Sequence, residues 1–388
     1  MSVTAPRGFR AAGVAAGLKP SGRPDVALVV NDGPSDAAAG IFTANRVQAA
    51  PVLWTRQVLA DGRLRAVILN SGGANACTGP AGFADTHATA EHVAGALGLG
   101  AGDVAVCSTG LIGVRLPMDN LLAGATKAVA DLADTDTAGA AAAEAIRTTD
   151  TVAKAAVRTS STTPGVTIGG MGKGAAMLAP SLATMLVVVT TDAVADAATL
   201  DRVIRASSRV SFERVDSDGC LSTNDTVLLL ASGAAGVSLP EAELTGLVTE
   251  VCIDLAQQML GDAEGSTKTI AITVTGAATE DDGLEVGRAV ARNNLLKCAL
   301  YGKDPNWGRV LAAIGTTKAV FEPDALDVSI NEVRVCRAGA PGEDRDLVDL
   351  SGREVRIGVD LHAGDAEVTV WTNDLTDGYV YKNSAYST

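Results

Sequence analysis

With 388 residues, 47% of them apolar and 3% aromatic, the chain exceeds the usual single-core size and is too apolar for disorder, so two lobes or one large α/β domain are expected. A formal net charge of −14 excludes an electrostatic nucleic-acid binder, which needs a basic face, yet leaves open a locally basic pocket for a carboxylate. The cysteines, Cys77, Cys107, Cys220, Cys252, Cys298 and Cys336, form no C-x-x-C pair, Arg7, Arg10 and Lys19 interrupt the first residues, and no apolar run reaches about 20 residues; these features predict reduced thiols and a cytoplasmic protein without a membrane span or secretion signal.

Short apolar runs at Val26–Val30, Gly40–Phe42, Pro51–Trp54 and Ala66–Leu69 predict sheet strands. The polar, glycine-rich stretch from Asn70 to Gly79 then forms a loop at a strand end, where sites are often bordered. A helix is expected from Ala81 to Leu97, carrying His87 and His92. With His362 these are all the histidines; none adjoins a candidate nucleophile, and their spacing suggests neither a Ser-His-Asp arrangement nor a zinc site.

Val104 to Gly113 reads as a strand and then a turn. Its Thr109-Gly110 pair can supply a hydroxyl and a backbone N–H to a developing oxyanion, although alone it signals only a turn. The alanine-rich stretch from Asp119 to Ile146 is helical in character and leads to Arg147-Thr-Thr-Asp-Thr151; Thr159 to Gly165 is a hairpin or loop by composition.

Val166–Ile168 predicts a short strand, followed by a bendable turn around Gly169, Gly170, Gly172 and Gly174 that contains Lys173. A phosphate-binding loop is excluded, because Thr167 stands where its first glycine belongs and Gly174 where its Ser or Thr belongs. Pro180 likewise interrupts the helix that a dinucleotide fold would need after Gly170, Gly172 and Ala175. Thr184 opens the β-branched run Met185–Thr191, and Ala183 before it is small enough to leave its carbonyl accessible. A threonine hydroxyl needs a base, and an α-amino group, which titrates at about 7.7–8.0 in simple peptides, supplies one if the chain is cut before Thr184. Read by itself, Thr184 is equally a β-branched strand starter.

A helix is expected from Ala193 to Ser208, and Ser222-Thr-Asn-Asp-Thr226 reads as a loop feeding the buried strand at Val227–Leu230. Asp216, Asp218 and Gly219 suggest a calcium loop only superficially, since Val227 occupies the position of the bidentate Glu. The helix Glu241 to Gly261 ends at Asp262-Ala-Glu-Gly265. Trp307-Gly-Arg309 reads as a structural corner, Val355–Val359 and Glu367–Trp371 as strands of a second lobe, and Tyr379, Tyr381 and Tyr386 as a docked tail.

Several of these motifs, in this order, resemble the self-cleaving ornithine acetyltransferases of arginine biosynthesis, also called glutamate N-acetyltransferases. They are Lys173-Gly, Met177-Leu-Ala-Pro180, Ala183-Thr-Met-Leu186, Ser222–Thr226, Tyr301–Arg309 and Lys382–Thr388. The resemblance implies an α+β fold of layered mixed sheets with flanking helices, of αββα type, plus a C-terminal lobe. It implies cleavage at Ala183–Thr184 into an α chain, 1–183, and a β chain, 184–388, with Thr184 as nucleophile and Thr109 and Gly110 as oxyanion hole. Thr148, Lys173, Thr184, Glu264, Asn383 and Thr388 are the implied substrate-binding residues, Glu264 facing the ornithine ammonium. The acetyl group passes from N2-acetyl-L-ornithine to L-glutamate in ping-pong fashion, with no cofactor or metal, acetyl-CoA being at most a second donor, and with an (αβ)2 assembly. Two other readings stay open: a self-cleaving N-terminal-nucleophile aminopeptidase or amidase, and an uncleaved ligand-binding relative.

Overall fold

The computed structural model describes residues 2–178 and 185–385. Ala183, Thr184, Tyr386 and Thr388, singled out above, lie outside them. The chain packs as two compact units: the first runs to Glu213 and resumes over Cys220–Asp262, and the second comprises Arg214–Gly219 and the described chain from Ala263 to Ala385. This partition follows packing and differs from the α and β chains that cleavage would create.

In chain order the first unit holds β1 (Phe9–Val14), β2 (Val26–Asn31), β3 (Ala38–Phe42), α1 (Ala50–Val58), β4 (Ala66–Asn70), α2 (Gly79–Leu97), β5 (Val104–Ser108), α3 (Met118–Ala130) and α4 (Asp136–Ala145). Next come β6 (Lys154–Thr159), β7 (Thr167–Lys173), β8 (Leu186–Thr191), α5 (Ala197–Arg209), β9 (Thr226–Ala231) and α6 (Glu241–Gly261). They build one sheet of order β1-β2-β4-β5 and another of order β3-β9-β8-β7-β6. Strands β2, β8 and β9 are buried along their whole length, which is why they read as unbroken apolar runs and not as alternating ones.

Side chains alternate across each strand, and the alternation sorts them into layers. Val29, Leu69 and Ala105 of the first sheet meet Met171, Val188 and Leu228 of the second in one core. Leu28, Ile68 and Val106 point the other way, onto Trp54, Val93 and Leu121 of α1, α2 and α3. On the far side of the second sheet, a Cβ at Gly170 would stand 2.8 Å from Val251 of α6. The first unit is thus an αββα sandwich.

The second unit contains β10 (Thr269–Ala277), α7 (Glu280–Ala291), α8 (Asn294–Tyr301), α9 (Trp307–Ile314), β11 (Asp327–Ile330), β12 (Val333–Arg337), β13 (Ala340–Pro341), β14 (Glu354–Asp360), β15 (Ala366–Asn373) and α10 (Asp377–Ala385). Its six-stranded sheet has the order β13-β12-β11-β14-β10-β15. Ile272, Val274 and Val370 pack with Val286 and Val290 of α7 and with Val310 and Ile314 of α9 in a core of their own. Among the described residues no helix is long and apolar enough to cross a membrane.

Four local expectations are corrected. Pro51–Trp54 lies in α1, with proline in the first helical turn, where its missing N–H costs nothing; a four-residue apolar run does not distinguish helix from strand. Gly169, Gly170 and Gly172 belong to strand β7 and none has a positive φ. They are glycines because neighbours come close: a Cβ at Gly169 would stand 2.2 Å from the Ser2 carbonyl and one at Gly172 2.6 Å from Met259. Trp307, Gly308 and Arg309 open α9 and form no corner. Tyr381, expected to be docked, is 70% exposed, while the start of the tail is held where Thr376 Oγ1 donates to the Gly265 carbonyl at 2.6 Å and Tyr301 Oη to Asp377 at 2.6 Å.

Candidate active site

Strands β4 and β5 run parallel, so Asn70 and Ser108 end side by side, and Asn70 Nδ2 donates to Ser108 Oγ at 2.6 Å. The chain leaves β5 through Thr109, whose N–H donates to the Asn70 carbonyl at 3.0 Å. Gly110 follows at φ +136°, with its Cα so close to the neighbouring loop that a Cβ would lie 2.8 Å from Gly73. Only glycine meets both conditions. The Gly110 N–H has no partner among the described residues.

Lys173 ends β7 opposite Leu186, the first residue of β8, and Leu186 lies beside Thr226 of β9. One end of the second sheet thereby presents Lys173, Met185 and Asp225 together. Lys173 is 2% exposed, and its Nζ reaches Thr109 Oγ1 at 3.4 Å. An ammonium can only donate, so the Thr109 hydroxyl accepts from it and keeps its own proton for another acceptor. Thr109 Oγ1, Gly110 N–H and the Lys173 cation are donors of the kind that a developing oxyanion requires.

Asn224 ties this end together: its Nδ2 donates to the Ala74 carbonyl at 2.6 Å and to the Ser108 carbonyl at 2.8 Å. Asp225 is completely buried, and its Oδ1 accepts from the Met185 N–H at 3.0 Å. Burial pushes its pKa well above the carboxylate range; the Met185 N–H, the nearby hydroxyls of Ser222 and Thr43 and the Lys173 charge pull the other way without offsetting it. Burial thus disfavours the charged form of Asp225. Its Oδ2 is buried and has no hydrogen-bond partner among the described residues.

Thr148 is half-buried on the loop after α4. Its N–H donates to Asp150 Oδ2 at 3.1 Å, and its carbonyl accepts from Arg23 at 3.3 Å. Asp150, which carries no role in the sequence analysis, also accepts from the Gly174 N–H at 2.8 Å and from Lys154 Nζ at 2.7 Å, and it stands 4.0 Å from Lys173 Nζ. The structure thus brings Thr109, Gly110, Thr148 and Lys173 into one network, with Asp150, Asn224 and Asp225 added.

Glu264 and Asn383 belong to the second unit. Glu264 is 6% exposed, and its buried Oε1 has no hydrogen-bond partner among the described residues, leaving an acceptor for a ligand cation. The next residue, Gly265, has φ +67° and abuts the start of α10; a Cβ there would stand 2.3 Å from the Tyr379 amide nitrogen. Asn383 lies further along that helix, exposed, with Nδ2 on the Tyr379 carbonyl at 3.0 Å. Of the competing nucleophiles, Cys107 is ruled out because burial pushes its pKa up to about 12.

Residues 10–388 match the model of the ArgJ family. The chain belongs to the ArgJ family. It is 64% identical over 387 residues to the arginine biosynthesis bifunctional protein ArgJ of Streptomyces avermitilis, covering 100% of both chains. It is 58% identical over 392 residues to the protein of that name from Mycobacterium tuberculosis, covering 99% of this chain and 96% of the other. Among solved structures, it is similar to the ornithine acetyltransferase of M. tuberculosis crystallised with ornithine: 65% identity over 47% of this chain and 96% of that one, TM-score 0.46. The ArgJ family is one of acetyl-transferring enzymes of arginine biosynthesis, the class that the sequence motifs implied.

Two features were missed in the sequence. Asp150 sits inside the Thr-Thr-Asp segment that drew attention to its threonines, and Asp225 inside Ser222–Thr226. For Asp225 the available signal was an acidic residue directly preceding the buried strand β9; Asp150 flanks no such strand.

Proposed function

We propose that this chain moves an acetyl group from N2-acetyl-L-ornithine to L-glutamate, after cutting itself at Ala183–Thr184. Thr184 Oγ attacks the acetyl carbonyl while its proton passes to the free α-amine. The oxyanion accepts from Thr109 Oγ1 and the Gly110 N–H beside Lys173. Collapse expels the ornithine α-amine, which takes the proton, and leaves an acetyl ester on Thr184. The glutamate amine then attacks that ester through the same oxyanion site, giving N-acetyl-L-glutamate and restoring the threonine.

The observation that carries this reading is the convergence of Thr109, Gly110 and Lys173 at the sheet end where Met185, the residue after position 184, enters β8. A buried lysine at a strand end next to two oxyanion donors suits acyl transfer. On the family resemblance, Thr148 and Lys173 would bind the amino-acid backbone or acetyl oxygen, Glu264 the ornithine ammonium, and Asn383 and Thr388 the substrate backbone. No cofactor or metal enters this scheme, acetyl-CoA would be only a second donor, and the cleaved chains would assemble as (αβ)2 in the cytoplasm.

Intact-mass analysis of the purified protein beside Thr184→Ala tests the cut: fragments ending at Ala183 and starting at Thr184 are expected, with the variant whole. Acetylornithine and glutamate are then mixed with the cut enzyme and N-acetylglutamate is measured. An uncut wild type would favour a ligand-binding relative, and peptide-amide hydrolysis without acetyl transfer would favour an aminopeptidase.

A further inference from the structure

Asp150 joins charged and polar groups from several sides of this network. Its side chain is fully buried, a setting in which an ionised carboxylate persists only if it is surrounded by cations and donors. Oδ1 accepts from the Gly174 N–H at 2.8 Å and from Lys154 Nζ at 2.7 Å, and Oδ2 accepts from the Thr148 N–H at 3.1 Å and lies 4.0 Å from Lys173 Nζ. Burial pushes its pKa up, but the charges of Lys173 and Lys154, with the bonds from Lys154 and Gly174, outweigh burial and hold the carboxyl well below its usual range.

Behind it, Lys154 is itself fully buried and donates to Asp262 Oδ2 at 2.6 Å. Asp262 is in turn held by the Thr151 N–H at 2.9 Å and by the Thr151 hydroxyl. The charges alternate along this line: Asp262, Lys154, Asp150, Lys173, and then the Thr109 hydroxyl. A four-residue chain of alternating sign in the interior of a sandwich is costly to bury, and it ends on a group that faces the reaction.

We infer that Asp150 is the positioning residue of the transfer reaction: it sets the charge and direction of Lys173 toward Thr109 while fixing the backbone of Thr148. This rests on the acetyl-transfer reading above. One carboxylate thereby couples a candidate oxyanion-site cation to a candidate substrate contact. Lys154 does not touch the reacting groups; it neutralises the carboxylate from behind, so that Asp150 is not free to draw Lys173 away from Thr109.

Other charged groups face Lys173 as well. Lys19, on the loop after β1, lies within electrostatic reach, and burial together with Arg23 pushes its pKa down to about 8. Asp225 is within reach too, ahead of β9. An alkaline limb in the rate therefore cannot be assigned to Lys173 from kinetics alone, so the test reads Lys173 directly.

The full-length enzyme is labelled with 13Cε-lysine, and the Lys173 resonance is identified by its loss in Lys173→Arg. Its titration is followed in wild type, Asp150→Asn and Lys154→Met, beside the pH profile of kcat/KM for acetyl transfer. Asp150→Asn removes the anion that stands 4.0 Å from Lys173 and is expected to move its titration toward acid by about 1 pH unit or more, the alkaline limb moving with it. Lys154→Met removes a competing cation and is expected to move the Lys173 titration the opposite way. Opposite signs cannot arise from general loosening of the fold. An unchanged Lys173 titration in Asp150→Asn, or shifts of the same sign in both variants, overturns the inference. If Asp150→Asn does not fold, Lys154→Met decides alone: an alkaline shift supports the inference, and no shift or an acid one overturns it. A wild type that transfers no acetyl group would sink the acetyl-transfer reading, while the resonance would still report whether Asp150 governs Lys173.

Discussion

At the scale of single residues, the site rests on two buried carboxyl groups pulled in opposite directions. The two lysines that face Asp150 hold its pKa down, whereas burial outweighs the donors around Asp225 and pushes its pKa up. The second case has a consequence for stability. A carboxyl whose folded pKa is raised contributes fully below its unfolded value of about 3.9, and the contribution is lost as pH climbs through the raised folded value. Asparagine keeps the acceptor for the Met185 N–H and carries no proton to lose. Asp225→Asn should therefore melt at pH 7 at the same temperature as the parent or above it. A fall of about 4 °C or more, roughly 2 kcal/mol in a unit of this size, would mean that the fold uses the charge.

At the scale of elements, an ambiguous run of residues decides how a functional strand is closed. β5, which delivers Thr109 and Gly110, is an edge strand, and edges need covering. Helix α1 supplies the cover: Trp54 Nε1 donates to the Val104 carbonyl at 3.0 Å, and Thr55 Oγ1 donates to the Val106 carbonyl at 2.7 Å while accepting from the Val106 N–H at 2.9 Å. Thr55 is completely buried, so Thr55→Val keeps its shape and orphans both backbone groups. Each buried group left unsatisfied costs about 1–3 kcal/mol, and denaturant unfolding should show a loss of at least about 2 kcal/mol. A loss below that would show that Trp54 alone suffices to close the edge.

At the scale of the molecule, two units with separate hydrophobic clusters should respond separately to damage. Ile272 is fully buried in the core of the second unit, where truncation to alanine typically costs about 2–5 kcal/mol. In Ile272→Ala, hydrogen exchange should accelerate across β10, β14 and β15 and stay unchanged in β4, β5 and β8. Equal acceleration in both units would show that they unfold as one. The acidity of the whole chain, −14, did not stop the first unit from gathering Lys19, Arg23, Lys154 and Lys173 around the Thr148 loop, as expected when pocket charge and total charge are independent.

The sequence by itself determined the long elements and the class of chemistry. Runs such as Val187–Thr191 and Val227–Ala231 are apolar on both faces and have no other stable use than a buried strand. The ordered motifs around Lys173, Thr184 and Ser222–Thr226 carried the enzyme family. Tertiary structure decided what depends on distance across the chain. The glycines of β7 read as a hinge, because sequence shows their freedom and hides the α6 side chains that forbid a Cβ there. Pro51–Trp54 read as a strand, because a short apolar run carries no period of its own. Asp150 read as a bystander, because its meaning lies in Lys173, 23 positions away, and in Lys154, whose other partner is Asp262, a line that only the packing of β6, β7 and α6 assembles.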